Sequence, residues 1–283
     1  MTKPRKWSLI GIPDHQGVMN VGGRVGACHG PAAFLRVFER LNGRRPLQQG
    51  LSGPVVVSNL GSDVGENHRR AADAVRERHR DAAPSVVVGV GHDHGYSQLL
   101  GVSEALAPGS RLGCIKIDAH LDVRRPAPLP GSGSPFYLAI EGGVLEPANL
   151  VEFGIQSHCN SPELWSYVES RGVRVVEWGG LRGVDRVAAF ARQLEELAAK
   201  VDAVVISLDL DSISQAHCPG VSAPQAEGFS TDEVIAMMEI AGAHEKVVSL
   251  GIFELCPEHD VQDATARVAA TCAYHFIDAT PAG

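Results

Sequence analysis

The stretch Ile115-Lys116-Ile117-Asp118-Ala119-His120-Leu121-Asp122-Val123-Arg124 sets the reading of the whole chain. An apolar, β-branched run that closes on Asp-x-His-x-Asp predicts a buried strand delivering three metal-ligand types at its carboxyl end. Further along, Val204-Val205-Ile206-Ser207-Leu208-Asp209-Leu210-Asp211 repeats the pattern with two carboxylates at i and i+2. On a strand those two share one face. The two stretches offer Asp118, Asp122, Asp209, Asp211 and His120. Isolated carboxylates in a dry site cost several kcal/mol each or must take up protons. Two divalent cations would balance four of them.

Length and composition bound the remaining possibilities. A chain of 283 residues with 44% hydrophobic content can bury a sizeable core. No apolar run approaches the roughly 18 residues that a membrane span requires. The start, Met1-Thr2-Lys3-Pro4-Arg5-Lys6-Trp7, carries positive charge without an apolar segment behind it, so no export signal is expected. Cysteines 28, 114, 159, 218, 256 and 272 form no C-x-x-C pair, which suits a reducing cytoplasm and free thiols. The net charge of -8 comes without a basic block, so no nucleic-acid partner is expected.

Short apolar runs alternate with helical patterns along the chain. Strands are predicted over Trp7 to Pro13, Val55 to Leu60, Ser85 to Val90, from Leu112 onward, Leu150 to Ile155, Val173 to Trp178, Ala203 to Leu208 and Val247 to Phe253. Helices are predicted over Pro31 to Leu41, Glu66 to Arg80, Pro162 to Ser170, Arg186 to Lys200, Thr231 to Ala241 and Asp260 to Ala273. Ser230 before Thr231-Asp232-Glu233 is an N-cap followed by first-turn acids. Two stretches read as loops: the Gly-rich segment after the first strand, and the Pro/Gly/Ser-rich segment between Arg125 and Tyr137, which is neither helix nor central strand. Strand-helix alternation without a linker predicts a single α/β domain over residues 1–283 with a mostly parallel sheet.

Such sheets bind ligands beyond the carboxyl ends of their strands. Four clusters fall there: His92-Asp93-His94, Asp118 with His120 and Asp122, Asp209 with Asp211, and Glu254 after Phe253. The bland alternatives are a capped turn for the first Asp triplet, backbone-bonded imidazoles for His92 and His94, and an ordinary strand-end acid for Glu254. Their common placement favours a two-metal hydrolase, in which two cations lower the pKa of one water toward neutrality. Oxygen-rich ligands with imidazole and no thiolate favour Mn²⁺ over Zn²⁺.

These motifs resemble the ureohydrolase (arginase, agmatinase, formimidoylglutamase) family. The resemblance runs from Gly22-Gly23-Arg24-Val25-Gly26-Ala27 and Gly30-Pro31 to Glu254-Leu255-Cys256-Pro257 and Thr265-Ala266-Arg267. It implies a three-layer αβα sandwich around a central, mostly parallel eight-stranded sheet, with two Mn²⁺ per chain. By motif, Asp118 and Asp209 would bridge both ions, Asp122 and an upstream His would complete one, and His120 and Asp211 the other. Asp122 would also hydrogen-bond the nucleophile, and Glu254 would hold the substrate's cationic nitrogen. Gly89-Val90-Gly91-His92-Asp93 with Gly95-Tyr96-Ser97 is similar to the formimidoylglutamase pattern and selects His92 over His94. Asp122-Val123-Arg124 and Ser132-Gly133-Ser134-Pro135-Phe136 point to the same subgroup, with Phe136 where arginases place a proton-shuttling His.

The implied reaction is hydrolysis of N-formimidoyl-L-glutamate to glutamate and formamide, a step of histidine degradation. Arg124 would receive a substrate carboxylate, while Arg125, His158 and Asn160 are open as pocket residues. A guanidino-compound hydrolase releasing urea is the alternative reading, and a non-catalytic metal-binding homologue is the remote one. The expected partner is a small, anionic amidine or guanidino compound. A homo-oligomer is possible. Val90, Cys256 and Ser214 depart from the family pattern without removing any metal ligand.

Overall fold

The structure, a computed structural model, describes residues 6–24, 26–43, 47–81 and 84–281. Residues 1–5, within the start expected to carry no export signal, and Val25 of the Gly-rich motif lie outside them. The strands are β1 (Ser8–Gly11), β2 (Val55–Val56), β3 (Ser85–Val88), β4 (Leu112–Ile117), β5 (Leu150–Ile155), β6 (Arg174–Glu177), β7 (Ala203–Asp209) and β8 (Val247–Phe253). They form one eight-stranded sheet in the order β2-β1-β3-β8-β7-β4-β5-β6. All its neighbouring pairs are parallel.

Alternation along the strands sends successive side chains into two separate cores. Val86, Val88, Ile115, Ile117, Ile206, Leu208, Leu250 and Ile252 enter one. Their strand neighbours Val87, Cys114, Val205 and Phe253 enter the other. The first core is covered by α2 (Gly30–Phe38), α7 (Arg186–Ala198), α8 (Thr231–Ala243) and α9 (Ala264–Ala279) through residues such as Phe34, Phe190, Met237 and Phe276. The second lies under α3 (Val64–Asp81), α4 (His94–Ala105), α5 (Pro135–Glu141) and α6 (Pro162–Arg171), through Val75, Leu99, Phe136 and Val168. Helices on both faces make the three-layer sandwich, and they explain why the strands read as continuous apolar runs.

Local chemistry sets several boundaries. Ser230 Oγ accepts the Glu233 N–H at 3.2 Å while the Glu233 carboxylate accepts the Ser230 N–H at 2.8 Å, a reciprocal cap that starts α8. Three differences from the sequence reading stand out. The Gly-rich loop contains a short helix, α1 (Gln16–Asn20). The Pro/Gly/Ser stretch is irregular through Ser134, but Pro135 opens α5. That is the position where a proline's missing N–H costs a helix nothing. The strand read from Val55 to Leu60 pairs with β1 only at Val55 and Val56, at one edge of the sheet.

The order of the strands also fixes where a ligand can sit. The chain makes β3 before β4, yet β8 and β7 stand between them. The crossover connections therefore diverge there and leave a crevice at the carboxyl ends.

Candidate metal centre

The four sequence clusters follow the four strands that border this crevice. His92 lies after β3, Glu254 after β8, Asp209 and Asp211 at the end of β7, and Asp118, His120 and Asp122 after β4. Of these groups only His120 is more than marginally exposed.

His92 is the hub of one half. Its Nδ1 lies 3.0 Å from Asp118 Oδ2, 3.1 Å from Asp122 Oδ2 and 3.0 Å from Asp209 Oδ2. Its Nε2 is 2.9 Å from Ser207 Oγ, which ties the ring to β7 and leaves Nδ1 facing the carboxylates. Phe253 stacks on the ring at 4.9 Å and Phe136 meets it edge-on at 5.5 Å. In the other half His120 Nδ1 lies 3.4 Å from Asp118 Oδ1 and 3.2 Å from Asp211 Oδ2. The ligand-type atoms thus fall into two groups, His92 with Asp118, Asp122 and Asp209, and His120 with Asp118 and Asp211. Asp118 is common to both. Asp209 belongs to the first group alone, and its Oδ1 accepts the Asp211 N–H at 2.8 Å.

His94, the other candidate beside His92, stands elsewhere. Its Nε2 is 3.0 Å from Asp14 and its Nδ1 is 3.0 Å from Ser97 Oγ, away from the four-Asp cluster. Asn160 braces the site's backbone instead of lining a pocket through its amide. Its Oδ1 accepts the Leu121 N–H at 2.8 Å and its Nδ2 donates to the Ala119 and Gln156 carbonyls. His158, Arg124 and Arg125 are exposed. Neither arginine forms an ion pair among the described residues, and a Cβ on Gly133 would touch both Arg124 Nε and Asp122 Oδ1. Arg124 is therefore an exposed side chain flanking Gly133, whose other neighbour is Asp122.

Asp122 and Glu254 both hold positive φ, 49° and 66°. Left-handed backbone in non-glycine residues costs of order 1–3 kcal/mol each and persists where surroundings enforce it. For Glu254 the enforcement is visible. Its N–H donates to the Val90 carbonyl at 2.7 Å and its Oε1 accepts the His92 N–H at 3.0 Å.

Two buried ionisable side chains escaped the sequence reading, and burial pushes the carboxyl of one, Glu152, up to about 8 against the pull of Lys116. Lys116 and Glu152 sit directly opposite each other in the β4–β5 register, and Lys116 Nζ is 2.9 Å from Glu152 Oε2. The same ammonium is 3.2 Å from Asp118 and 3.8 Å from Asp122, donates to the His120 carbonyl, and lies over the Phe136 ring. One Lys and one Glu interrupting two otherwise apolar strands was the available signal. Their adjacency depends on register, which neither strand encodes alone.

The electrostatics leave the site short of positive charge. Burial, and after it Asp211 and Asp118, push Asp209 well above the usual carboxylate range. Burial pushes Asp211 up to about 7 against the pull of His120. Burial and then Asp209 raise Glu254 as well. Burial also works against the Asp118 carboxylate, but Lys116, His120 and His92 outweigh it and hold the group low. Two polar atoms, Asp211 Oδ1 and Glu254 Oε2, are buried without a hydrogen-bond partner among the described residues. Carboxylates that crowd together around imidazole nitrogens, with oxygens left over, fit a pair of divalent cations. The imidazole held by Ser207 has the orienting partner that ligating histidines have.

The sequence pattern of the arginase family matches residues 5–278. The formimidoylglutamase of Nocardia farcinica is 33% identical over 279 residues, which span 97% of this chain and 87% of that protein. The formimidoylglutamase of Staphylococcus carnosus is 30% identical over 277 residues, 95% of this chain and 85% of its own. Among solved structures, Trypanosoma cruzi formiminoglutamase with Mn²⁺₂ superposes with a TM-score of 0.87 at 28% identity, over 98% of this chain and 95% of that one. Bacillus subtilis arginase shares the fold at a TM-score of 0.82 and 23% identity, over 96% and 98% of the two chains.

Proposed function

This chain belongs to the arginase family, and we propose that it is a dinuclear-manganese hydrolase converting N-formimidoyl-L-glutamate and water to L-glutamate and formamide. The observation that carries the proposal is the pair of ligand groups sharing Asp118, in a chain similar to formimidoylglutamases over nearly its full length. His92, Asp118, Asp122 and Asp209 would hold one Mn²⁺, and Asp118, His120 and Asp211 the other, with Asp209 as the further bridging carboxylate. Two such ions supply Lewis acidity that makes a water nucleophilic at neutral pH and polarises an amidine carbon.

The side chains divide the remaining work. Asp122, held in its positive-φ turn beside the cluster, accepts a hydrogen bond from the attacking water and takes its proton. Glu254 presents its unpartnered Oε2 to the formimidoyl N–H, a charge-assisted hydrogen bond that orients the carbon for attack. Arg124, exposed beside Gly133, receives a carboxylate of the glutamate moiety through its planar fork. Phe136 and Phe253 keep water away from the His92 face. The water oxygen bonds to the formimidoyl carbon and that carbon's bond to the glutamate nitrogen breaks; one of the water's protons leaves on the amine and the other ends on the formimidoyl nitrogen, giving formamide. We extend the proposal to one domain over residues 1–283, acting in the cytoplasm on an anionic substrate, alone or as a homo-oligomer. Among the described residues no helix is long and apolar enough to cross a membrane.

A substrate panel with the Mn²⁺-loaded chain tests the reading. The expected result is stoichiometric formamide and glutamate from formimidoylglutamate. Urea released from agmatine or guanidinobutyrate, with no turnover of formimidoylglutamate, overturns it in favour of a guanidino hydrolase.

A further inference from the structure

Beyond the dinuclear cluster, a second buried group of ligand-type atoms lies on the β1 side of β3. His68 on α3 points its Nε2 at Asp93 Oδ2, 2.9 Å away, and His94 Nε2 is 3.9 Å from the same oxygen. These three atoms lie within 4.8 Å of one another. The two imidazoles stand nearly perpendicular, with centroids 5.2 Å apart. Asp14, in the loop after β1, places its Oδ2 3.0 Å from His94 Nε2. All four residues are buried, Asp93 and His94 completely.

Three features separate this cluster from an ordinary imidazole–carboxylate pair. Asp93 Oδ1 is buried with no hydrogen-bond partner among the described residues. A Cβ on either Gly17 or Gly91 would overlap that carboxylate, so two glycines have made room for it at the expense of any side-chain donor. His94 Nδ1 is 3.0 Å from Ser97 Oγ, which fixes the ring so that Nε2 faces the acids, 3.0 Å from Asp14 Oδ2. That is the support which orients the ring of a ligating histidine.

The geometry points to a third, mononuclear cation site formed by His68, Asp93 and His94, with Asp14 adjoining, that takes Zn²⁺ or a similar borderline divalent ion. Bonds of about 2.0–2.1 Å in tetrahedral array put neighbouring ligand atoms roughly 3.3 Å apart. The observed separations of 2.9 and 3.9 Å bracket that value. Two carboxylates and two neutral imidazoles are balanced by one such ion, and imidazole suits zinc. No residue is shared with the dinuclear cluster, although Asp93 follows His92 directly. The ion would cross-link the β1 loop, α3 and the start of α4 behind the turn that presents His92.

Zinc counting on the full chain tests this without reference to turnover. The protein is stripped of metal, saturated with Zn²⁺, dialysed and analysed by elemental mass spectrometry. The expected result is three ions per chain in the wild type and two in both His68→Gln and the isosteric Asp93→Asn. Two ions in the wild type, or three retained in both variants, overturns the site and leaves a hydrogen-bonded cluster. Should neither variant fold, the wild-type count alone decides between three and two. Because a count is read, the outcome is independent of which substrate the enzyme cleaves.

Discussion

Replacing Lys116 with methionine isolates what the buried lysine does. The side chains have similar volume, so the change removes charge without opening a large cavity. Lys116 Nζ lies 2.9 Å from Glu152 and 3.2 Å from Asp118, all three fully buried. Each attraction is about 5 kcal/mol at an effective dielectric of about 20. Desolvation of the ions offsets most of this, so the intact cluster is close to neutral relative to an apolar one. Breaking it on one side is different, because Glu152, already pushed up to about 8 by burial, loses its only cationic partner among the described residues and Asp118 keeps only His120 and His92. The expected cost is about 3–5 kcal/mol.

Urea unfolding of the metal-stripped chain measures it through the shift in midpoint at constant slope. Adding Glu152→Gln to the Lys116→Met background removes an acid that burial pushes up to about 8 and that the folded chain must hold protonated at neutral pH; this should recover about 2 kcal/mol, a coupling that a double-mutant cycle reads directly. A Lys116→Met cost under about 1 kcal/mol would refute the reasoning, since buried pairs broken on one side do not behave that way. Equally damaging is a double variant no more stable than Lys116→Met, because the loss would then come from packing.

Ser207→Ala frees the His92 ring at Nε2 and should weaken Mn²⁺ binding about 10–100-fold with the fold intact, as titration calorimetry would show. Glu254→Gln keeps the shape but removes the charge at the proposed substrate contact. It should lower kcat/KM by about 10–150-fold, the worth of a charged hydrogen bond of about 1.5–3 kcal/mol, while the chain still binds two Mn²⁺. His79, buried on α3 with Nδ1 3.3 Å from Ser85 Oγ, is pushed by burial from 6.5 down to about 4. Above pH 6.5 both folded and unfolded chains carry it neutral, so it has no effect on stability there. As pH falls from 6.5 to 4 only the unfolded chain protonates it, and of order 3 kcal/mol of stability is lost across that window. His79→Gln should remove that part of the acid sensitivity, and an unchanged pH dependence of the urea midpoint between the two proteins would contradict it.

Much of this protein was legible in its sequence because the signals are local. Asp118 with His120, and Asp209 with Asp211, stand two residues apart just where an apolar strand ends, so each pair is legible without help from the rest of the chain, although only Asp209 is itself a strand residue and Asp211 sits in a 3-10 turn. Apolar runs buried on both faces announced a parallel sheet covered on both sides. The reciprocal Ser230–Glu233 cap needs only four consecutive residues.

Tertiary structure alone decided which of these local signals meet. The insertion of β8 and β7 between β3 and β4 brings His92 within 3.1 Å of carboxylates from two other strands, and nothing in the spacing of residues 92, 118 and 209 encodes that order. His92 and His94 are chemically equal in the sequence. The turn after β3 sends one toward Asp118 and the other toward Asp14. Lys116 and Glu152 become partners only through the β4–β5 register, where a slip of one residue would put them on opposite faces. Side-chain direction follows from backbone geometry a few residues long, whereas adjacency of strands is settled by how the whole chain packs its two apolar layers.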